Sequence, residues 1–289
     1  MTAAPLDRRL HAFRPDLADE RLKGRVEAAR FVAGKRARVN VPVLDVRNAP
    51  DCDAGLDTQL ILGDEVDVFD EAGGFAWVQG GRDSYVGYVA ASGLAAPAPN
   101  PPTHVVCVPR TFLYAQADMK TRAVAALSLG SRLAIVGSAT TRGTDYALTD
   151  TGAAIVAAHI RPVGEVFPDH VDVARMLERT PYLWGGTSAF GIDCSGLVQL
   201  SLFMAGKAAP RDTDMQAASL GEPLAIGADL AGLRRGDLVF WKGHVAIVTD
   251  GEGIVHASGH AMMVVCERLV DAVERIARLY GRPVGFRRP

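Results

Sequence analysis

Gly191-Ile192-Asp193-Cys194-Ser195-Gly196-Leu197-Val198 is the stretch from which the rest of the chain is read. Aspartate is a preferred helix N-cap, and the apolar residues that follow predict a buried helix over 194–205 with the cysteine in its first turn. Unpaired N–H groups and the positive end of the helix dipole stabilise an anion at that position. The Cys194 thiol, with an ordinary pKa of roughly 8.5, is therefore expected to ionise near neutrality. A lone cysteine on an apolar helix is otherwise ordinary packing, so its partners decide the matter.

Two later segments supply them. Gly243-His244-Val245-Ala246-Ile247-Val248 and Ile254-Val255-His256-Ala257-Ser258 read as consecutive strands, each carrying one histidine. A cysteine nucleophile needs a base and a group that orients the base, and His244 and His256 fill those roles. A three-residue Thr249-Asp250-Gly251 loop, with Gly251 in the left-handed conformation, makes Val248 face Glu252 and sets His244 directly opposite His256. Their Cβ atoms are then roughly 5 Å apart. Moving the loop one residue towards Glu252 offsets the pair by two positions, which is expected to weaken their contact. The expected chemistry is thiol attack by Cys194, proton transfer through His244, and an oxyanion held by the Cys194 N–H and the Tyr182 hydroxyl.

Composition sets the outer bounds. The chain has 289 residues, 48% hydrophobic and 22% charged, enough for two or three domains with a sizeable core. With 31 basic against 33 acidic residues the net charge is −2, and neither nucleic acid nor membrane is expected as a partner. Cys52, Cys107, Cys194 and Cys266 lie far apart, so reduced thiols are expected, with no metal and no cofactor. Residues 1–25 are rich in charge and lack an apolar segment, and the expected location is the cytoplasm.

Along the chain, residues 1–34 read as a polar leader with helical periodicity at Leu6, Leu10, Phe13, Leu22, Val26 and Ala29. Short alternating segments over 35–96 predict a small antiparallel barrel, and a proline-rich linker follows over 97–102. A second copy is expected over 103–164. Leu60-Ile61-Leu62-Gly63 matches Leu127-Ser128-Leu129-Gly130, and Val89-Ala90-Ala91 matches Val156-Ala157-Ala158, both at an offset of 67 residues. Residues 165–289 are expected to form an α+β catalytic domain, with helices over 171–178 and 194–205 and strands over 237–241, 244–248 and 252–257.

Tyr182-Leu183-Trp184-Gly185-Gly186, Asp193-Cys194-Ser195-Gly196, Pro210-Arg211-Asp212, Arg235-Gly236-Asp237-Leu238, Gly243-His244-Val245 and His256-Ala257-Ser258 occur in this order. Together they resemble the NlpC family of papain-like cell-wall peptidases. The preceding repeats resemble bacterial SH3-like domains. The resemblance implies an α+β papain-like domain preceded by two small SH3-like β-barrels. It further implies an endopeptidase that cuts between γ-D-glutamate and meso-diaminopimelate or lysine in murein stem peptides. In such proteins a free N-terminal L-alanine is recognised at a cleft covered by the first barrel, which restricts cleavage to peptides released during wall recycling. By motif position the implied substrate-binding residues are Tyr85, in the Asp-x-Tyr-Val-Gly-Tyr segment, with Asp193, Ser195 and Asp212.

Each has a plainer reading. Asp193 can simply cap its helix, Tyr85 and Tyr88 can be barrel core, and Arg211 with Asp212 can be a surface loop. Two other functions fit the same residues: an amidase or acyltransferase acting on another amide or on lipid, and a catalytically silent module that binds wall peptides. The intact cysteine and both histidines speak against silence, and the polar Asp193 and Ser195 against a lipid channel.

Overall fold

The structure is a computed structural model that describes residues 6–227 and 229–289; the first five residues of the leader lie outside the described part. The chain divides into two compact units, one ending at Val163 and one beginning at Gly164.

In the first unit, the described part of the leader contains no α-helix. It runs through turns, a parallel pairing of Ala18–Asp19 with Phe31–Val32, and a 3-10 turn at Glu20–Leu22. Tertiary contacts override the helical periodicity. Ala12 and Leu17 pack with Phe69, Trp77 and Val86, and Gln79 donates a hydrogen bond to the Leu10 carbonyl at 2.8 Å.

Beyond the leader lies a seven-stranded antiparallel sheet in the order Leu56–Ile61, Val43–Arg47, Val86–Ala90, Phe75–Gly80, Glu65–Ala72, Lys35–Val39, Leu94–Ala95. Alternating Val39, Leu44, Val46, Val66, Val68, Val78 and Val89 fill its core. The outer strands do not pair with each other, so among the described residues the ladder stays open rather than closing into the expected ring. The next segment forms a five-stranded and a three-stranded sheet over a core of Val106, Leu113, Leu127, Leu133, Ala147 and Ile155, also without a closed ladder.

The internal repeat is written into the backbone. The N–H of Leu62 bonds to the Pro42 carbonyl and that of Gly63 to the Val39 carbonyl, as Leu129 bonds to Pro109 and Gly130 to Val106. Gly63 and Gly130 share φ values of 86° and 89°, a left-handed conformation suited to glycine. The second matched block is out by one. The 3-10 turn of Ala91–Gly93 corresponds to Ala157–His159, an offset of 66 residues, so Val89 is equivalent to Ile155 rather than to Val156.

The second unit is built on a six-stranded antiparallel sheet. Its strands are β1 (Glu222–Pro223), β2 (Leu238–Trp241), β3 (His244–Val248), β4 (Gly253–Ser258), β5 (Met263–Arg268) and β6 (Gly285–Arg288), arranged in the order β1-β6-β2-β3-β4-β5. Its helices are α1 (His170–Met176), α2 (Cys194–Met204), α3 (Thr213–Ser219) and α4 (Leu269–Tyr280). Helix α2 packs on β3 and β4 and is buried on all sides, as its uninterrupted apolar sequence requires. Helix α4 is amphipathic and lays Leu269, Ala272, Val273 and Ile276 against Val239, Trp241, Ala246, Val248 and Ile254. No helix among the described residues is long and apolar enough to cross a membrane.

Candidate active site

Helix α2 begins at Cys194 because Asp193 caps it: the Asp193 Oδ1 accepts the Gly196 N–H at 2.7 Å. The same carboxylate anchors the loop before the helix through the Gly185 N–H at 2.9 Å. That loop and the helix press together backbone to backbone. A side chain at Gly196 would place Cβ 2.3 Å from the Gly186 carbonyl oxygen, and one at Gly186 would meet the Gly191 carbonyl at 2.4 Å. The Trp-Gly-Gly turn is thus the floor on which the cysteine sits.

Arg211 is the buried counter-ion of Asp193. It is 1% exposed and spans both carboxylate oxygens, with Nη1 to Oδ1 at 3.0 Å and Nη2 to Oδ2 at 2.6 Å, while Nη1 also reaches Ser195 Oγ at 2.8 Å. The surface-loop reading of Arg211 is therefore corrected. Burying a guanidinium is tolerable only with such a partner. The Asp193 carboxylate is engaged by Arg211, Gly185, Gly196 and Ser195, so its visible work is structural. Asp212 stands at the N-cap position of α3 with no side-chain capping bond. Tyr85 belongs to the first unit, just before Val86–Ala90, its N–H bonded to Asp83 at 3.0 Å. In that unit the Tyr88 hydroxyl accepts from Arg14 at 3.3 Å.

The Cys194 sulfur lies 4.0 Å from the Gly243 carbonyl and 3.9 Å from Thr213 Oγ1, and it receives the Val245 N–H. It is thus flanked by the residues on either side of His244. His244 Nε2 lies 2.8 Å from His256 Nδ1, with the rings 5.0 Å apart and inclined at 67°. Both histidines share the parity of Ala246, Val248 and Ile254, which pack under α4.

The register that brings them together differs from the expected one. Ile247 pairs with Val255 and Val248 with Ile254, so the loop has moved one residue towards Glu252. Gly251 does not adopt positive φ. The Asp250 carboxylate explains the shift, since its Oδ1 accepts the N–H groups of Glu252 at 3.0 Å and Gly253 at 2.7 Å and so centres the turn on itself. Continuing the ladder sets His244 across from Ser258, with His256 on the diagonal. The offset does not break the contact, because two imidazoles span a diagonal of about 7–8 Å.

The ionisation state also departs from expectation. Burial pushes the Cys194 thiol up to about 11, and the Asp193 carboxylate adds to the effect, outweighing the Val245 N–H, Thr213 and Arg211. Burial, then His256 and Arg275, hold His244 down to about 3. Burial thus favours the neutral thiol and the neutral imidazole over a preformed ion pair. The Tyr182 phenol is raised, chiefly by burial and next by the Cys194 charge, so its hydroxyl keeps its proton and can donate.

A cavity of about 550 Å³ opens on the two histidines, lined by Tyr182, Trp184, His244, His256, His260 and, from α4, Arg275 among others. Among the described residues no cluster of His, Cys, Asp and Glu is arranged to hold a metal ion. Sequence reasoning missed three polar neighbours. Thr213 sits beside the sulfur, Arg211 is buried behind it, and Glu267 accepts from His256. Glu267 had a readable signal, since β5 alternates and carries it on the same face as His256.

A buried thiol at a helix start beside a histidine pair is now placed on a sheet of known order, and residues 179–274 match the NlpC/P60 family. The C-terminal unit is an NlpC/P60 domain. Residues 46–94 match the bacterial dipeptidyl-peptidase Sh3 domain, so the NlpC/P60 unit follows an SH3 domain. The chain is 26% identical over 231 residues to a γ-D-glutamyl-L-lysine dipeptidyl-peptidase of Bacillus cereus, covering 70% of this chain and 67% of that protein. It is 30% identical over 141 residues to dipeptidyl-peptidase 6 of Lysinibacillus sphaericus, covering 45% of this chain and 51% of the relative. This chain thus spans about half the length of the latter. The crystal structure of an NlpC/P60 family protein from Bacillus cereus shares the fold with a TM-score of 0.73 at 22% identity, over 88% of this chain and 99% of that one. The NlpC/P60 domain of this chain is homologous to those of named dipeptidyl-peptidases.

Proposed function

We propose that this NlpC/P60 protein is a cysteine endopeptidase that hydrolyses the γ-D-glutamyl–diamino acid bond of murein stem peptides bearing a free N-terminal L-alanine. The observation that carries the reading is the Cys194 sulfur flanked by Gly243 and Val245, with His244 bonded to His256 at 2.8 Å. In this reading His244 Nδ1 removes the thiol proton as Cys194 attacks the γ-carbonyl. The developing oxyanion is met by the Cys194 N–H, one of the donors a helix start leaves without an intrahelical partner, and by the Tyr182 hydroxyl. His244 returns the proton to the departing amine, and water, deprotonated by the same imidazole, hydrolyses the thioester to release the γ-carboxylate.

Ser195 and Asp212 are assigned to the substrate's peptide end, with Asp193 acting beside them as the brace of the helix start. The site of action in this reading is the cytoplasm, on peptides already freed from the wall. We read residues 103–164 as a second SH3-like module after the 97–102 linker, a reading supported by the two backbone hydrogen bonds described above that it shares in equivalent positions with the first.

The test incubates the purified protein with L-Ala-γ-D-Glu-diaminopimelate and with its N-acetylated form, following products by mass. Cleavage of the free peptide, its loss in Cys194→Ala, and resistance of the acetylated peptide are expected. Equal cleavage of both peptides would remove the free-amine requirement, and no cleavage of either would overturn the assignment.

A further inference from the structure

The hydrogen-bond chain that begins at His244 does not stop at His256. His256 Nε2 lies 2.7 Å from Glu267 Oε1, and Arg275 of α4 pairs with that same oxygen. Both steps across the sheet are diagonal. His256 pairs with Val265 in the ladder, two positions from Glu267, just as His244 is two positions from the residue opposite His256. The side chain of His256 is 1% exposed, so no solvent competes for its ring nitrogens.

Resting on the peptidase reading above, we propose that Glu267, braced by Arg275, is a positioning residue that fixes the tautomers of His256 and His244 and so aims a free imidazole nitrogen at Cys194. The derivation is one of donors and acceptors. An ionised carboxylate only accepts, so His256 carries its proton on Nε2 and presents a lone pair on Nδ1. His244 must then carry its proton on Nε2, facing His256, and its Nδ1 is left bare to receive the thiol proton. The opposite tautomer of His256 would put a proton on His244 Nδ1 and leave the sulfur facing a donor.

In the reaction the proton moves from sulfur to His244 Nδ1 and later to the leaving amine. Glu267 takes no proton; its charge stabilises the imidazolium that forms. It is kept ionised because the bond from His256 and the nearby Arg275 hold its carboxyl below the usual range against the opposing effect of burial.

Few other charges face the pair. Cys194 approaches from α2, Arg275 from α4, and Tyr182, Lys242 and His260 line the cavity. The ionisable groups of α1 are directed elsewhere: His170 to the Gly236 carbonyl, Asp172 to Arg235, and Arg175 towards Asp250 and Cys266.

The test compares the full-length wild type with Glu267→Gln and Glu267→Leu. Glutamine keeps an acceptor oxygen for both His256 and Arg275 but loses the charge; leucine loses both. For Glu267→Leu, kcat is expected to fall at least ~100-fold with KM within ~3-fold, the pattern of a lost orienting group. Glu267→Gln is expected to recover activity to within ~10-fold of wild type. It should also move the acidic limb of the kcat/KM profile to lower pH, because removing the negative charge makes the histidine pair harder to protonate. Nitrogen-15 NMR of the imidazoles, which needs no substrate, is expected to show His256 as the Nε2–H tautomer in the wild type and in Glu267→Gln. A wild-type kcat and pH profile in Glu267→Leu, or an Nδ1–H tautomer in the wild type, would overturn the inference. If Glu267→Leu does not fold, the wild-type tautomer and the Glu267→Gln pH profile decide it. If the wild type does not cut the peptide, the peptidase reading fails while the tautomer result still stands or falls by itself.

Discussion

His244 and His256 bond at 2.8 Å although they are two residues out of register across the β3–β4 hairpin. The diagonal is imposed by the Asp250 turn, whose carboxylate holds the Glu252 and Gly253 N–H groups. Asp250→Ala removes both bonds and leaves the hairpin free to slide towards the alternative register with Gly251 in the loop. A lowered melting temperature and a lowered kcat are expected together, with substrate binding little changed. Thermal denaturation and steady-state kinetics check this, and a fall in stability with kcat intact would show that the register tolerates loss of the turn.

The neutral thiol–imidazole pair has a direct chemical signature. With Cys194 pushed up to about 11 and His244 held down to about 3, both groups favour the neutral form near pH 7. Iodoacetamide labelling of Cys194 is expected to climb through the alkaline range, with no plateau between pH 5 and pH 8. A plateau there, as a preformed thiolate–imidazolium pair would give, contradicts the assignment. The probe is labelling rate against pH, read by mass at the peptide containing Cys194.

The same burial makes His244 an acid-sensitive element of the fold. Its pKa of about 3 lies below the unfolded value of 6.5, so between those pH values the unfolded chain binds more protons than the folded one. Stability therefore rises with pH across that window and is lost as pH falls from about 6.5 towards 3. The contribution is at most about 5 kcal/mol. His244→Gln is expected to flatten this part of the profile, measured as urea unfolding free energy at several pH values. Glu267 adds a loss in the same direction at lower pH, where its depressed carboxyl protonates.

Legibility in the sequence followed how local each determinant was. The helix expected over 194–205 is α2, Cys194–Met204, because its start depends on one cap and its burial on one apolar run. The strand expected over 244–248 is β3, whose apolar, β-branched run is complete within five residues. What failed depended on partners distant in sequence or on a carboxylate right beside the group in question. The leader's periodicity lost to packing on Trp77 and Val86. Gly251 suggests one placement of the hairpin loop, whereas an aspartate one residue earlier controls it. The thiolate expectation weighed the helix dipole alone and left out burial and the Asp193 carboxylate. Arg211 looked like an ordinary loop residue because nothing near it in sequence reveals that Asp193 is its partner.

That buried pair supports a final prediction. Removing the Asp193 carboxylate strands the Arg211 guanidinium in a site where it is 1% exposed, and breaking a buried ion pair from one side costs about 3–5 kcal/mol. Asp193→Ala also deletes the helix cap, worth about 1 kcal/mol, so the two effects must be separated. Asp193→Ser retains a capping oxygen for the Gly196 N–H and loses only the charge. If the ion pair dominates, serine recovers about 1 kcal/mol of the alanine loss. Arg211→Met added to Asp193→Ala then recovers more, because no unpaired charge is left inside. Urea unfolding of the two single variants and the double variant measures all three. Full recovery by serine alone would instead make Asp193 a cap whose pairing with Arg211 contributes nothing net.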